Sequence, residues 1–218
     1  MTALERKSRA GGEDPVPKLL TAAVCLAAST SLAGTDTGAE IVLDNARVRV
    51  FKASTPLALA DHPAAVVVVL EDGATRKAGD AYWSGSAVPV PSAGQDMGSF
   101  LMVEPKGPAS QRGAVSSPTS ATPPPVFIGM SFHPIFDNER VRVLRARMDV
   151  GAREGVHTHG SDVVVVHLSG GDVEDTAEGQ TKVNHWKHGD VEFEARGSSH
   201  SARNLGAAVD VVLVALKP

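Results

Sequence analysis

Val163 to Val166 form an unbroken run of four β-branched side chains, with Gly170 and Gly171 beyond the far end. A short apolar run bounded by turn residues reads as a strand covered on both faces of its sheet. In Val141–Met148 apolar and charged residues instead alternate, with Val141 and Val143 on one face and Arg142 on the other. That period of two marks a strand with one polar side. Further strands are expected at Val163–Leu168, Val191–Phe193 and Val209–Leu216, with a hairpin through Gly170–Trp186. No stretch carries the period of a long amphipathic helix. Many short strands punctuated by Gly, Pro and Asp turns predict an all-β sandwich or barrel, such as a jelly roll.

The pattern occurs twice. Asp44, Asn45, Arg47, Val48, Arg49 and Val50 reappear as Asp137, Asn138, Arg140, Val141, Arg142 and Val143. The segment AAVVVVLEDG from Ala64 mirrors SDVVVVHLSGG from Ser161, and GDAYW from Gly79 mirrors GDVEF from Gly189. Three matched blocks in one order indicate an internal duplication. Residues 104–126 lie between the copies and are rich in Pro, Ser, Gly and Thr, the composition of an extended linker. The halves are thus 37–103 and 127–218.

Composition narrows the function classes. The chain has 218 residues, enough for one large or two small domains, and only 4% aromatic residues, so its core should be aliphatic. A net charge of −4 and the lack of a basic run with interleaved aromatics give no case for a nucleic-acid partner. The one cysteine, Cys25, excludes an intrachain disulfide framework and a cysteine-based zinc site. Cys25 lies in residues 1–33, which read as an export signal. Arg6, Lys7, Arg9 and Lys18 give a cationic start, Leu19 to Ala28 an apolar centre, and Ser31-Leu32-Ala33 a cleavage site. The apolar part is short for a bilayer span. The expectation is a secreted or periplasmic protein with no membrane span after processing, and a cytoplasmic one if the segment is not a signal.

The chemistry centres on His157 and His159. Residues two apart on a strand share a face, so these imidazoles point the same way at the entrance of the valine run. Neutral imidazole is the commonest metal-binding side chain, though two exposed polar residues at a strand end would look the same.

The surrounding glycines sharpen the choice. Gly151 stands five residues before His157, His159 follows, and Gly170 closes the segment. Further on, Gly189, Gly197, His200 and Asn204 recur at fixed spacing, with Ala195 between. In both segments the second half resembles the cupin superfamily. The family's first motif is Gly, five residues, His-x-His, three or four residues, Glu, six residues, Gly, and its second is Gly, five residues, Pro-x-Gly, two residues, His, three residues, Asn. The resemblance implies two tandem cupin-type jelly-roll barrels behind a signal-like segment. It also implies a divalent metal held by His157, His159 and His200.

Two departures matter. The family's glutamate falls at Val163 or Val164, and the family's second-motif proline is Ala195. Asp162 is one residue early and on a regular strand faces away from the histidines, so it could serve only through a bulge. His167 shares their parity and either completes the site or packs in the barrel. A site of three histidines leaves coordination positions open, which suits a catalytic metal. Some cupin dioxygenases are similar in using three histidines without the carboxylate. Fe(II) is the expected metal, with Mn, Zn, Ni and Cu as alternatives.

The first half has only His62, beside Asp61 and Pro63, at the corresponding place. It is therefore expected to be a degenerate, metal-free barrel. His185 and His188 are expected in a solvated turn, and His133 to pack. Of Arg140, Arg142, Arg145 and Arg147, Arg142 at least should be solvated. Glu192 and Glu194 are expected to face solvent together. No base then stands beside the histidines apart from Asp162 or His167, which favours redox over acid–base chemistry. The expectation is a metal-binding cupin, as an Fe(II) dioxygenase on a small organic molecule. The alternatives are an exported non-catalytic cupin that binds an acid or sugar, and a Zn or Mn isomerase. The partner is a small-molecule ligand or substrate, and pairing through strand edges leaves a homodimer open.

Overall fold

The computed structural model describes residues 39–53, 64–85, 98–107 and 126–217. The signal-like segment with Cys25, the Asp61-His62 pair and residues 108–125 of the linker lie outside the described residues. Among the described residues the regular elements are all strands. In the first half these are β1 (Ala39–Asp44), β2 (Val48–Ala53), β3 (Ala65–Val69), β4 (Ala81–Ser84) and β5 (Phe100–Pro105). In the second half they are β6 (Phe127–Asp137), β7 (Val141–Thr158), β8 (Asp162–His167), β9 (Gly171–Ala177), β10 (Gln180–Trp186), β11 (Val191–Glu194), β12 (Ser199–Asn204) and β13 (Val209–Leu216).

The Asp-Asn-x-Arg-Val repeat is one turn used twice. Asn45 Oδ1 accepts hydrogen bonds from the Arg47 and Val48 amides at 2.8 and 3.0 Å and so folds β1 onto β2. Asn138 Oδ1 accepts from Arg140 and Val141 at 2.8 and 2.9 Å and folds β6 onto β7. A side chain bonding the backbone two and three residues on is the ordinary way asparagine closes a turn. The duplication extends to topology. The first sheet has the order β1-β2-β5-β3-β4, and β6-β7-β13-β8-β11 repeats that order, each neighbour pair antiparallel. The halves diverge between β3 and β4. There residues 70–80 make a direct connection, whereas the second half inserts the β9–β10 hairpin.

β7 is what turns the second half into a barrel. Its 18 residues pair with β13 along 141–148 and with β12 from Arg153 to Thr158. One bent strand thereby belongs to two facing sheets, β10-β9-β12-β7 and β7-β13-β8-β11. This two-sheet wrap with antiparallel connections is a jelly roll.

The valine run explains how the halves join. Val164 and Val166 of β8, Val141 and Val143 of β7, and Val212 and Val214 of β13 point out of the barrel. They pack on Val48, Val50, Val66, Val68, Leu101 and Val103 of the first sheet in one continuous core. Burying a valine contributes roughly 1.5–3 kcal/mol over leaving it exposed, so this shared layer is the main cohesion between them. Polar links frame it. Arg47 Nε donates to Asp162 Oδ2 at 2.6 Å, Arg145 forks onto both Asp210 oxygens at 3.0 and 2.6 Å, and Arg140 donates to the carbonyls of Pro105 and Gly107. Arg142 is exposed as expected, but His133 is exposed on β6 where packing was expected.

Asn204, the last residue of β12, is buried, and its amide nitrogen lies 2.8–3.1 Å from the carbonyl oxygens of Met148, Asp149 and Ala207. Its Oδ1 accepts the Gly206 amide at 3.0 Å. Asn204→Ala strands these groups and should cost about 2–4 kcal/mol in urea unfolding. A loss below about 1 kcal/mol would mean that the turn does not depend on this side chain.

Candidate metal centre

His157 reaches the barrel interior through a register fault. On β7 the inward residues up to the bulge are Ala146, Met148 and Glu154, all even-numbered, while the exposed Arg147 only borders the cavity. Pairing with β12 then slips, since Ala202 opposes Glu154 while His200 opposes His157. The extra residue is a β-bulge, which bends the strand and re-aims the side chains beyond it. Glu154 and His157 therefore both point inward, with His157 Nε2 3.5 Å from Glu154 Oε1. His159 lies just past β7, and its backbone is tied to the next turn by His159 N–H to Ser198 O and Gly197 N–H to His159 O, both 2.9 Å. Gly197 has φ +85°, which favours glycine there. His200 sits on the neighbouring strand, β12.

The three rings meet. Centroid separations are 4.8 Å for His157–His159, 4.7 Å for His157–His200 and 5.0 Å for His159–His200. One nitrogen from each lies within 4.8 Å of the other two. Bonds of about 2.1 Å to a metal ask for nitrogens about 3–3.5 Å apart, so small ring rotations close the triangle. The hydrogen bonding suits ligation. His157 Nδ1 donates to Gly155 O at 3.1 Å and His200 Nδ1 to Asp175 Oδ1 at 2.9 Å, which leaves each Nε2 with its lone pair. The Nε2 atoms of His159 and His200 are buried without a hydrogen-bond partner. Buried polar atoms are rarely left so, and two orphaned lone pairs facing one point fit a cation.

Around them stand carboxylates that the sequence pattern does not reveal. Glu192 and Glu194 line the cavity instead of facing solvent. β11 pairs with β8 so that Glu194 opposes Val163 and Glu192 opposes Val165, the inward residues of β8, while Val191 and Phe193 pack into the shared core. The expected alternation holds but its faces are reversed, because the outer face of this sheet is also buried. Glu194 Oε2 is 3.6 Å from His159 Nε2 and its Oε1 is 3.7 Å from His200 Nε2. The expectation that no base stands beside the histidines is therefore corrected by Glu154, Asp175 and Glu194.

Asp162 does not join them. Its Oδ2 takes Arg47 Nε and its Oδ1 the Arg196 amide at 2.9 Å, on the outer face of β8. His167 does line the cavity, stacked on Trp186 with centroids 4.4 Å apart and planes 18° apart. His185 is an exposed partner of Asp172, and His188 an exposed partner of Leu168 O. Arg145 binds Asp210 between the halves, and Arg147 borders the cavity while pairing with Asp149 at 2.9 Å.

The cavity measures about 260 Å³. Burial, then the neighbouring His157 and His200, lowers the His159 pKa to about 4. Burial does the same to His167, also to about 4. Burial raises Glu154 and, with Glu192 next to it, raises Glu194 well above the carboxylate range. For His200 burial opposes protonation, but the Asp175 hydrogen bond and the charges of Glu194, Glu154 and Asp175 outweigh it, so its pKa is raised. The site is thus rich in buried acidic groups. Among the described lining residues the only Lys or Arg is Arg147, already paired with Asp149.

The jelly roll, with its histidines at the two glycine-anchored segments, defines residues 126–217 as a cupin-type domain. Solved structures of that class resemble it. A cupin domain from Bordetella pertussis Tohama I is 25% identical over 42% of this chain and 96% of its own, with a TM-score of 0.40. An RmlC-like cupin from Shewanella frigidimarina is 19% identical over 47% and 93%, with a TM-score of 0.35. KdgF from a Halomonas species is 19% identical over 41% and 80%, with a TM-score of 0.36. No family model and no curated protein matches the sequence. In strand order and motif placement the chain resembles the cupin superfamily, and its three-histidine group is consistent with a metal-binding protein of that fold.

The site's hydrogen bonds and buried imidazoles can each be tested. Asp175→Ala frees the His200 ring and should weaken metal affinity about 10–100-fold in a competition titration; unchanged affinity would remove Asp175 from the site. In the metal-free protein His167 takes its proton only near pH 4, whereas in the unfolded chain it does so near 6.5. The unfolded state then binds more protons in that window, so stability falls as pH drops from 6.5 to 4. His167→Gln should lessen that loss by on the order of 2 kcal/mol relative to wild type. Parallel curves for the two proteins would contradict it.

Proposed function

We propose that this chain is a metal-dependent cupin enzyme that adds both atoms of dioxygen to a small organic molecule, with Fe(II) held by His157, His159 and His200. The observation that carries this reading is the convergence of three imidazoles, two with orphaned Nε2 atoms, on the polar end of an otherwise largely apolar cavity. Bound Fe(II) supplies the redox chemistry and, with three imidazoles as its protein ligands, leaves positions for a substrate donor atom and dioxygen.

The protein's own residues do the rest. Burial keeps His159 neutral and ready to ligate. Asp175 and the Gly155 carbonyl fix the tautomers of His200 and His157. Val163, Val165, Val211 and Leu213 keep water from the reacting atoms. Glu154 and Glu194, raised toward neutrality, can give or take a proton beside the substrate.

Those same carboxyls favour a second reading, a Zn or Mn cupin that isomerises or hydrolyses its substrate by proton transfer. One preparation separates the two. The purified chain should carry about one Fe, lost in His157→Ala, and should take up dioxygen with a member of a panel of thiols, diketones and flavonols. Zn or Mn at that stoichiometry without oxygen uptake favours the second reading. A chain that takes up none of these metals ends both.

A further inference from the structure

Among the described residues, His167 is the one buried side chain in the cavity whose polar atoms are all idle. It is 3% exposed, and both ring nitrogens lack a partner. A neutral imidazole has one N–H to give and one lone pair to fill. Burying both unused is costly unless something in the cavity takes them up.

The fold does not ask for an imidazole there. The turn leading into β11 is tied to the end of β8 by His167 N–H to Asp190 O and Gly189 N–H to His167 O, and is closed by Asp190 N–H to Lys187 O. The turn after β3 makes the same three bonds with Val69, Gly79, Asp80 and Lys77. His167 thus corresponds to Val69, which is fully buried and apolar. Valine meets the structural need in one copy, so the histidine answers another.

Its place along the strand says what that is. Glu194, beside the histidine triad, lies opposite Val163, and His167 is four residues further along the same inward row. At about 3.3 Å per residue the two levels are roughly 13 Å apart. Between them the wall is mainly apolar, with Val165, Val211 and Leu213 on this sheet and the single carboxyl of Glu192 at the level of Val165. Trp186 stacks on the His167 ring and fixes its plane, so the nitrogens project from an oriented edge.

We propose that His167 reads the far end of the substrate: an elongated, mainly apolar molecule with a metal-chelating head at His157, His159 and His200 and a neutral hydroxyl or carbonyl group about 10–13 Å away. This rests on the metal-dependent reading of the site. His167 is a specificity-determining residue and Trp186 a positioning residue.

The test uses the metal-loaded full chain and two probes, para-phenylcatechol and its analogue with a third hydroxyl at the far para position. Both chelate through the catechol and differ only at the end that would meet His167. Isothermal titration should find the hydroxylated probe bound about tenfold tighter by wild type. His167→Leu should reduce the difference to within about twofold, and His167→Gln should keep part of it. Metal content, measured on each variant, should equal wild type and so reports a correctly folded site. Equal binding of the probes by wild type overturns the proposal, because the nitrogens then serve only water. A preference that survives in His167→Leu overturns it as well. Failure of both probes to bind a fully metallated chain rejects the head-to-tail substrate while leaving the metal site standing. A chain that takes up no metal instead rejects the reading on which the proposal rests.

Discussion

The rest of the structure depends on the burial of one sheet on both faces. Strands β7, β13, β8 and β11 send Val141, Val143, Val164, Val166, Val212 and Val214 outward against the first half, where they are fully buried. An isolated barrel must spend its inner face on core packing, because its outer face meets water. Here the outer face supplies the core. The inner face is released to carry Glu192, Glu194 and His167 around a cavity. The first half therefore acts as the hydrophobic backing that makes a polar interior tolerable.

The two halves then serve as a control on each other. Inward positions of the second half are Val163, His167, Glu192, Glu194 and Val211, and the pairings give their counterparts as Ala65, Val69, Tyr82, Ser84 and Phe100. In the first half this face closes into an apolar cluster of Ala53, Ala65, Val67, Phe100 and Met102, with Tyr82 packed on it. The bulky Phe100 and Met102 fill what Val211 and Leu213 leave open. One topology is thus realised as a packed core and as a lined cavity. The residues that differ between them are the ones the backbone does not require.

Much of this is legible in the sequence, for local reasons. The repeat Asp-Asn-x-Arg-Val is a turn whose bonds lie within four residues, so its recurrence at Asp44 and Asp137 carries the duplication. His157, His159 and His200 are readable because glycines at set spacing mark the turns that position them. The carboxylates are not readable. Glu154 gains its inward aim beside a bulge, and nothing in the local pattern of β7 announces a register slip. Glu192 and Glu194 read as solvent-facing because polar alternation normally marks the wet face, a rule that fails when a second sheet covers the apolar side. Asp162 faces away from the histidines as its parity predicts, but its partner Arg47 is 115 residues distant and reachable only through the fold.

The electrostatics of the interior point the same way as its geometry. Burial raises Glu154, Glu192 and Glu194, which means that each would release its proton if a positive charge arrived nearby. Burial lowers His159, so that imidazole offers a lone pair in place of a charge. A site of imidazoles and reluctant acids has no unpaired arginine to balance it, since Arg47, Arg140 and Arg145 are spent on the seam between the halves and Arg147 on Asp149. Metal binding to such a site releases protons. Because Glu154, Glu194 and His200 hold their protons more firmly than usual, a cation that displaces those protons would bind more tightly as the surrounding pH rises. An interior that lines its cavity with imidazoles and buried acids, and whose one bordering cation, Arg147, is already paired with Asp149, fits a divalent cation.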